Sequence, residues 1–111
     1  MTPASDCAYV AAVLLLYADL PDTPIRPSPQ DQALARRFQS QGLPLDLIES
    51  ALLLGSLRRM IRPAGSVPLA PIRSLAYFQP IIAELQLQPL PDGYLDYLRL
   101  KLRKVADRIA G

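Results

Sequence analysis

The sequence predicts an all-α domain, a compact bundle of about five helices around a buried central helix at residues 45–60. Three observations carry this reading. Glycine and proline divide the chain into segments of helical length whose apolar residues recur every three or four positions. The 45–60 segment is apolar around most of its circumference, as a helix packed on all sides must be. No alternating apolar–polar run is bounded by hairpin turns, although a short extended piece at residues 67–69 is compatible with the pattern. At 111 residues the chain makes a single domain, 1–111. Such a chain buries roughly two thirds of its unfolded surface, enough for a core without staples.

The first helix is expected from Ser5 or Asp6, either of which suits an N-cap, to Ala18. Its apolar residues Tyr9, Val10, Val13, Leu14, Leu16 and Tyr17 surround most of it, so it should be largely buried. Residues 20–27 carry three prolines and form an extended loop. Ser28-Pro29-Gln30-Asp31 is a start signal. Ser28 fits the N-cap, Pro29 the first helical position, and Asp31 reaches back as a shortened capping box. That second helix runs to about Gln41 and stops at Gly42, with Leu34, Ala35 and Phe38 facing the core.

Pro44 opens the central helix, which runs to about Met60. A loop covers residues 62–68. The fourth helix places Pro71 in its first turn and should kink or break near Gln79, because Pro80 falls inside its pattern. The last helix opens around Pro91-Asp92 and continues to about Ile109. Its stripe is Leu95, Leu98, Leu102, Val105 and Ile109.

Composition excludes most chemistry. The chain has no histidine and one cysteine, Cys7, which removes imidazole bases, Ser-His pairs and thiolate zinc sites. The lone cysteine permits no internal disulfide and suits a reducing cytoplasm. Without a neighbouring base or cation it reads as a structural residue. The five glycines are scattered and build no phosphate-cradling loop. Paired carboxylates, Asp92 with Asp96 and Asp19 with Asp22, are the remaining catalytic option and read as capping or solvated acids. Hence no catalytic residue, cofactor or metal is expected. The apolar run at residues 8–18 is too short to span a bilayer and lacks the basic flank of a signal peptide.

Charge is unevenly placed. Residues 1–50 hold six acids and three bases, and residues 51–111 hold nine bases and four acids. This asymmetry points either to an anionic partner for the second half or to attraction between the halves or to another copy. Arg58, Arg59 and Arg62 end the central helix, where the helix dipole favours cations whatever the function. Arg73 lies near the start of the next helical segment, where it does not, so it needs another partner. No acid lies between Glu49 and Glu84. On the last helix Arg99, Lys101, Arg103 and Lys104 form a second basic strip, with Arg99 and Arg103 a like-charged i,i+4 pair. Tyr77 and Phe78 point about 100° apart on a helix, so one can be core while the other borders the surface and stacks on a base.

Residues 43–85 carry the buried 45–60 helix and then an S-[FL]-x-Y-[FI]-x-x-I pattern, met here by Ser74, Leu75, Tyr77, Phe78 and Ile81. In this the chain resembles the C-terminal helical module of bacterial DnaD-type primosomal and phage replication proteins. It departs from that pattern at Leu85, where the family places tryptophan, and at Pro80. It also resembles an uncharacterised bacterial group with an Arg-Ser-Leu-x-Tyr-Phe-x-Pro block, here residues 73–80. The first resemblance implies help in loading or remodelling on single-stranded DNA, without an enzymatic step.

The reading that follows is a non-enzymatic nucleic-acid-associated accessory protein of bacterial or mobile-element origin. Arg58, Arg59, Arg62, Arg73, Arg99, Lys101, Arg103 and Lys104 would contact phosphates of single- or double-stranded DNA, with Tyr77 stacking. The alternative is a helical protein–protein adaptor or homodimer that uses the first helix and the proline-rich loop. The two readings separate on whether the cations converge on one face or pair with the chain's own acids.

Overall fold

The computed structural model describes residues 3–24 and 26–110, with side-chain surroundings for 8–24 and 26–107. Five α-helices and one 3₁₀ turn make up the described chain, and no strand occurs among these residues. The helices are α1 (Pro3–Ala18), α2 (Pro29–Ser40), α3 (Leu45–Met60), α4 (Gln79–Leu87) and α5 (Tyr94–Ala110), and the 3₁₀ turn Leu75–Phe78 leads into α4. Helix α3 is the hub: α1, α4, α5 and the 3₁₀ turn all pack on it, and α2 packs on α1. Its Ile48, Ala51 and Leu52 are shut off from solvent.

The local start and stop signals act as read. Ser28 Oγ accepts from Asp31 N at 3.1 Å, and Asp31 Oδ2 accepts from Ser28 N at 2.9 Å, closing the capping box of α2. At the other end Gly42 takes φ +72°, Gly42 N donates to Gln39 O, and Leu43 N donates to Phe38 O. This is a Schellman stop, and a side chain would be strained at that φ.

Three expectations are corrected. Helix α1 begins at Pro3, ahead of Ser5 and Asp6, as proline's fixed φ allows in a first turn. The side chain of Asp6 as a cap, the burial of Cys7 and the place of Ile109 in the last stripe lie outside the residues whose side chains are described. From Ala8 onward helix α1 buries only one side. Val13 and Tyr17 are fully buried, but Leu15 is 71% exposed and Ala8 and Ala11 face outward, because α2, α3 and the Phe78 ring all pack on the Val13–Tyr17 side. Finally, Pro71 lies in extended chain rather than in a helix. Ile72 is buried there, and its N–H donates to Asp22 O at 2.8 Å across to the loop after α1. A helical turn at 71–74 would withdraw both contacts. The break near Gln79 is present as expected: the 3₁₀ turn gives way to α4, and Pro80 sits in the first turn, where its missing N–H has no intrahelical partner to lose. Helix α5 begins at Tyr94, after a turn in which Tyr94 N donates to Pro91 O.

A close approach organises the centre. A Cβ at Gly55 would stand 2.6 Å from Ile81 Cδ1 and 2.8 Å from the Phe78 ring, so bare backbone on α3 seats these two side chains. Phe78 is fully buried and meets Tyr17 edge-on, with ring centroids 6.3 Å apart at 82°.

Tyr17 gives the bundle an alkaline limit. Its hydroxyl is buried without a hydrogen-bond partner among the described residues, and burial, then the Asp31 charge, pushes its pKa up to about 12. The unfolded value is about 10. The folded value is the higher, so the contribution is complete below pH ~10 and is lost as pH rises through about 12. It amounts to about 2–3 kcal/mol. Urea midpoints measured from neutral to alkaline pH should fall across that window. Tyr17→Phe should flatten the fall without loss at neutral pH, since the unpaired hydroxyl contributes no bond there.

Candidate functional site

Arg58 and Arg59 occupy the last turn of α3, where free carbonyls attract cations. Arg58 forks onto Glu84 of α4, with Nη1–Oε1 at 2.9 Å and Nη2–Oε2 at 2.6 Å. These hydrogen bonds hold the Glu84 carboxyl below its ordinary range and raise the Arg58 guanidinium. Because the carboxylate value is depressed, the clasp acts above the ordinary Glu range and is lost as pH falls through the lowered value. Both side chains are about half exposed, so salt screens the pair.

Arg59 is the most buried of Arg58, Arg59, Arg62 and Arg73. Its side chain is 9% exposed. Nη2 donates to Ala70 O at 2.6 Å, lies 3.7 Å from Asp22 Oδ2, and the guanidinium stands 5.4 Å from the centroid of the Tyr77 ring. It therefore fastens the 61–74 segment and the loop after α1 to the end of α3. Arg62 Nη1 donates to Val67 O at 2.7 Å and closes the loop beyond α3. Arg73 is exposed and makes no ion pair or hydrogen bond among the described residues. Arg59→Ala should lower stability by about 1–3 kcal/mol through the lost charged hydrogen bond, read as a shift in urea midpoint. No change would mean the segment is held without it.

Tyr77 is 43% exposed and packs edge-on against buried Phe78 at 5.1 Å, with Arg59 over its ring. The adjacent aromatics thus divide between surface and core.

On α5, Arg99 is clamped by Glu49 of α3 (Nε–Oε2 and Nη2–Oε1, both 2.7 Å) and by Asp96 (Nη1–Oδ1, 2.9 Å). The Glu49 bonds are the main cause of its raised pKa. Arg103 and Lys104 are exposed, Lys101 is half-buried, and none of the three is ion-paired among the described residues. Glu49–Arg99 and Asp22–Arg59 each join an acid of the first half to a base of the second. Part of the charge asymmetry is therefore satisfied inside the molecule. The structure does not bring the nominated cations into one free patch.

It brings together a different set of residues. Between α3 and α5 runs an open groove of about 270 Å³ lined by Leu54, Leu57, Ile61, Tyr94, Tyr97 and Leu98, with Arg58 and Lys101 also lining it. Ile61 is 56% and Tyr97 51% exposed, and Tyr94 and Tyr97 stand 5.2 Å apart. A second hollow of about 410 Å³, beneath residues 85–95 and the start of α3, has Asp46 and Asp92 as its only charged lining residues. Neither holds the convergent polar groups of a catalytic pocket. Among the described residues no His, Cys, Asp and Glu group could hold a metal ion, and no helix is long and apolar enough to cross a membrane.

No protein family, curated protein or solved structure matches this chain.

Proposed function

We propose that this chain is a non-enzymatic helical module that docks a partner protein. The observation that carries the reading is how its cations are used. Arg58, Arg59, Arg62 and Arg99 are bonded to the chain's own carboxylates and carbonyls, while large apolar side chains, Leu15, Ile61 and Tyr97, stay exposed. Single exposed apolar residues such as Leu15 are ordinary, but Ile61 and Tyr97 line one groove, and grouped apolar residues mark interaction surfaces. The test compares proteins captured by the native chain with those captured by Leu15→Glu on α1 and Tyr97→Glu on α5. Both positions are exposed, so both variants should keep the native melting curve. Loss of one specific partner with one variant supports the reading and locates the face; identical capture by all three proteins refutes it. Light scattering on the same proteins tells a homodimer through α1 from a foreign partner.

A second reading, nucleic-acid contact in replication or a mobile element, draws support from Arg73, Arg103 and Lys104, which are exposed and not ion-paired among the described residues. The likeness of residues 43–85 to DnaD-type modules points the same way. On this reading affinity for single-stranded DNA falls steeply with salt, and Arg73→Ala with Lys104→Ala flattens the slope by about one or two. Absence of DNA and RNA binding at low salt removes it.

A further inference from the structure

We propose that the groove between α3 and α5 receives an amphipathic helix of a partner protein, with acidic residues flanking the partner's apolar face. The inference rests on the adaptor reading and names the occupant of one face. The floor of the groove is apolar, from Leu54, Leu57 and Leu98, and its walls include the exposed Ile61 and Tyr97. A small molecule would be poorly enclosed in so open a trough.

Charge selects the occupant. On the side of α5 that carries Arg99, that residue is neutralised by Glu49 and Asp96, while Arg103 one turn on is exposed and not ion-paired among the described residues. The groove edge of α5 also carries unpaired charge. Lys101 lines the groove without an acid of its own among the described residues, and Lys104 follows one turn later in the row Tyr94, Tyr97, Lys101, Lys104. Arg58 lies at the same groove, bonded to Glu84. An apolar trough whose α5 edge carries the unpaired Lys101, with Lys104 one turn beyond, is complementary to an apolar helix face bordered by Asp or Glu. The row from Tyr94 to Lys104 rises about 15 Å at 1.5 Å per residue, enough to accept anchors at i, i+3/i+4 and i+7.

The test uses fluorescence anisotropy with three labelled model peptides: a helix with a leucine face bordered by glutamates, the same helix bordered by lysines, and a scrambled glutamate peptide. The native chain should bind the first at least about tenfold more tightly than the other two. Tyr97→Ala and Lys101→Glu should each weaken that binding by about tenfold, as expected for an aromatic anchor and a complementary charge, and Arg73→Glu, away from the groove, should not. Equal binding of glutamate and lysine helices, or unchanged affinity in both groove variants, overturns the proposal. So does self-association of the native chain that Tyr97→Ala abolishes, which would give the groove to a second copy. If the glutamate helix fails to bind while Leu15→Glu still abolishes capture of a partner, this occupant is refuted and the adaptor reading stands.

Discussion

Phe78→Ala should lower the stability of the bundle by about 3–5 kcal/mol, the range for emptying a buried aromatic site. Phe78 is fully buried where the 3₁₀ turn, α3 and α1 meet, in ring contact with Tyr17 and Tyr77 and seated on Gly55. Its neighbours come from three separate segments, so the cavity cannot close by shifting one of them. Single domains are stable by only about 5–15 kcal/mol, so this variant should show a sharply lower urea midpoint, with much of its stability gone. A loss under about 1 kcal/mol would mean that the ring is not enclosed in solution.

Asp31→Ala should lower stability by about 2–4 kcal/mol. Asp31 is 1% exposed, and its oxygens serve two structures at once. Oδ2 accepts from Ser28 N at 2.9 Å, and Oδ1 accepts from Leu75 N at 2.9 Å and Ser74 Oγ at 3.4 Å. Losing the cap costs about 1 kcal/mol. Leaving the buried Leu75 N–H without an acceptor costs about 1–3 kcal/mol more. Asp31→Asn keeps one accepting oxygen and should fall between alanine and native. Hydrogen exchange at the Leu75 amide gives an independent reading: protection should drop in the alanine variant, and unchanged protection would show that another acceptor serves that N–H.

What was legible beforehand is what is written within one turn of chain. Ser28, Pro29 and Asp31 start α2, and Gly42 ends it, because caps join residues at most five apart. The apolar girth of α3 made it central whatever surrounded it. Pro71 misled because the position suits a helix start, while the tie from Ile72 to Asp22, fifty residues back, decides for extended chain. The second bond of Asp31 spans 44 residues and leaves no mark in the local pattern. The same distance effect governs the candidate site. That Arg58 ends a helix is local; that Glu84 lies 26 residues on and takes its guanidinium depends on how α4 docks. The α3–α5 groove was hidden in plain spacing. Tyr94, Tyr97, Lys101 and Lys104 repeat at helical intervals just beside the Leu95–Leu98–Leu102 stripe, and only the docking of α5 on α3 shows which row stays open.

The bare backbone at Gly55 has a consequence for how this sequence can vary. Gly55 and Phe78 occupy one volume between them, so neither can change freely while the other stays. A methyl group at position 55 must push aside the mobile Cδ1 end of Ile81 and needs a smaller or differently shaped residue in place of the rigid Phe78 ring, so the substitutions at 55 and 78 should partly compensate. A double-mutant cycle of Gly55→Ala with Phe78→Leu should therefore depart from additivity in the favourable direction. Chains that share this bundle should show positions 55 and 78 covarying as a pair, although 23 residues separate them.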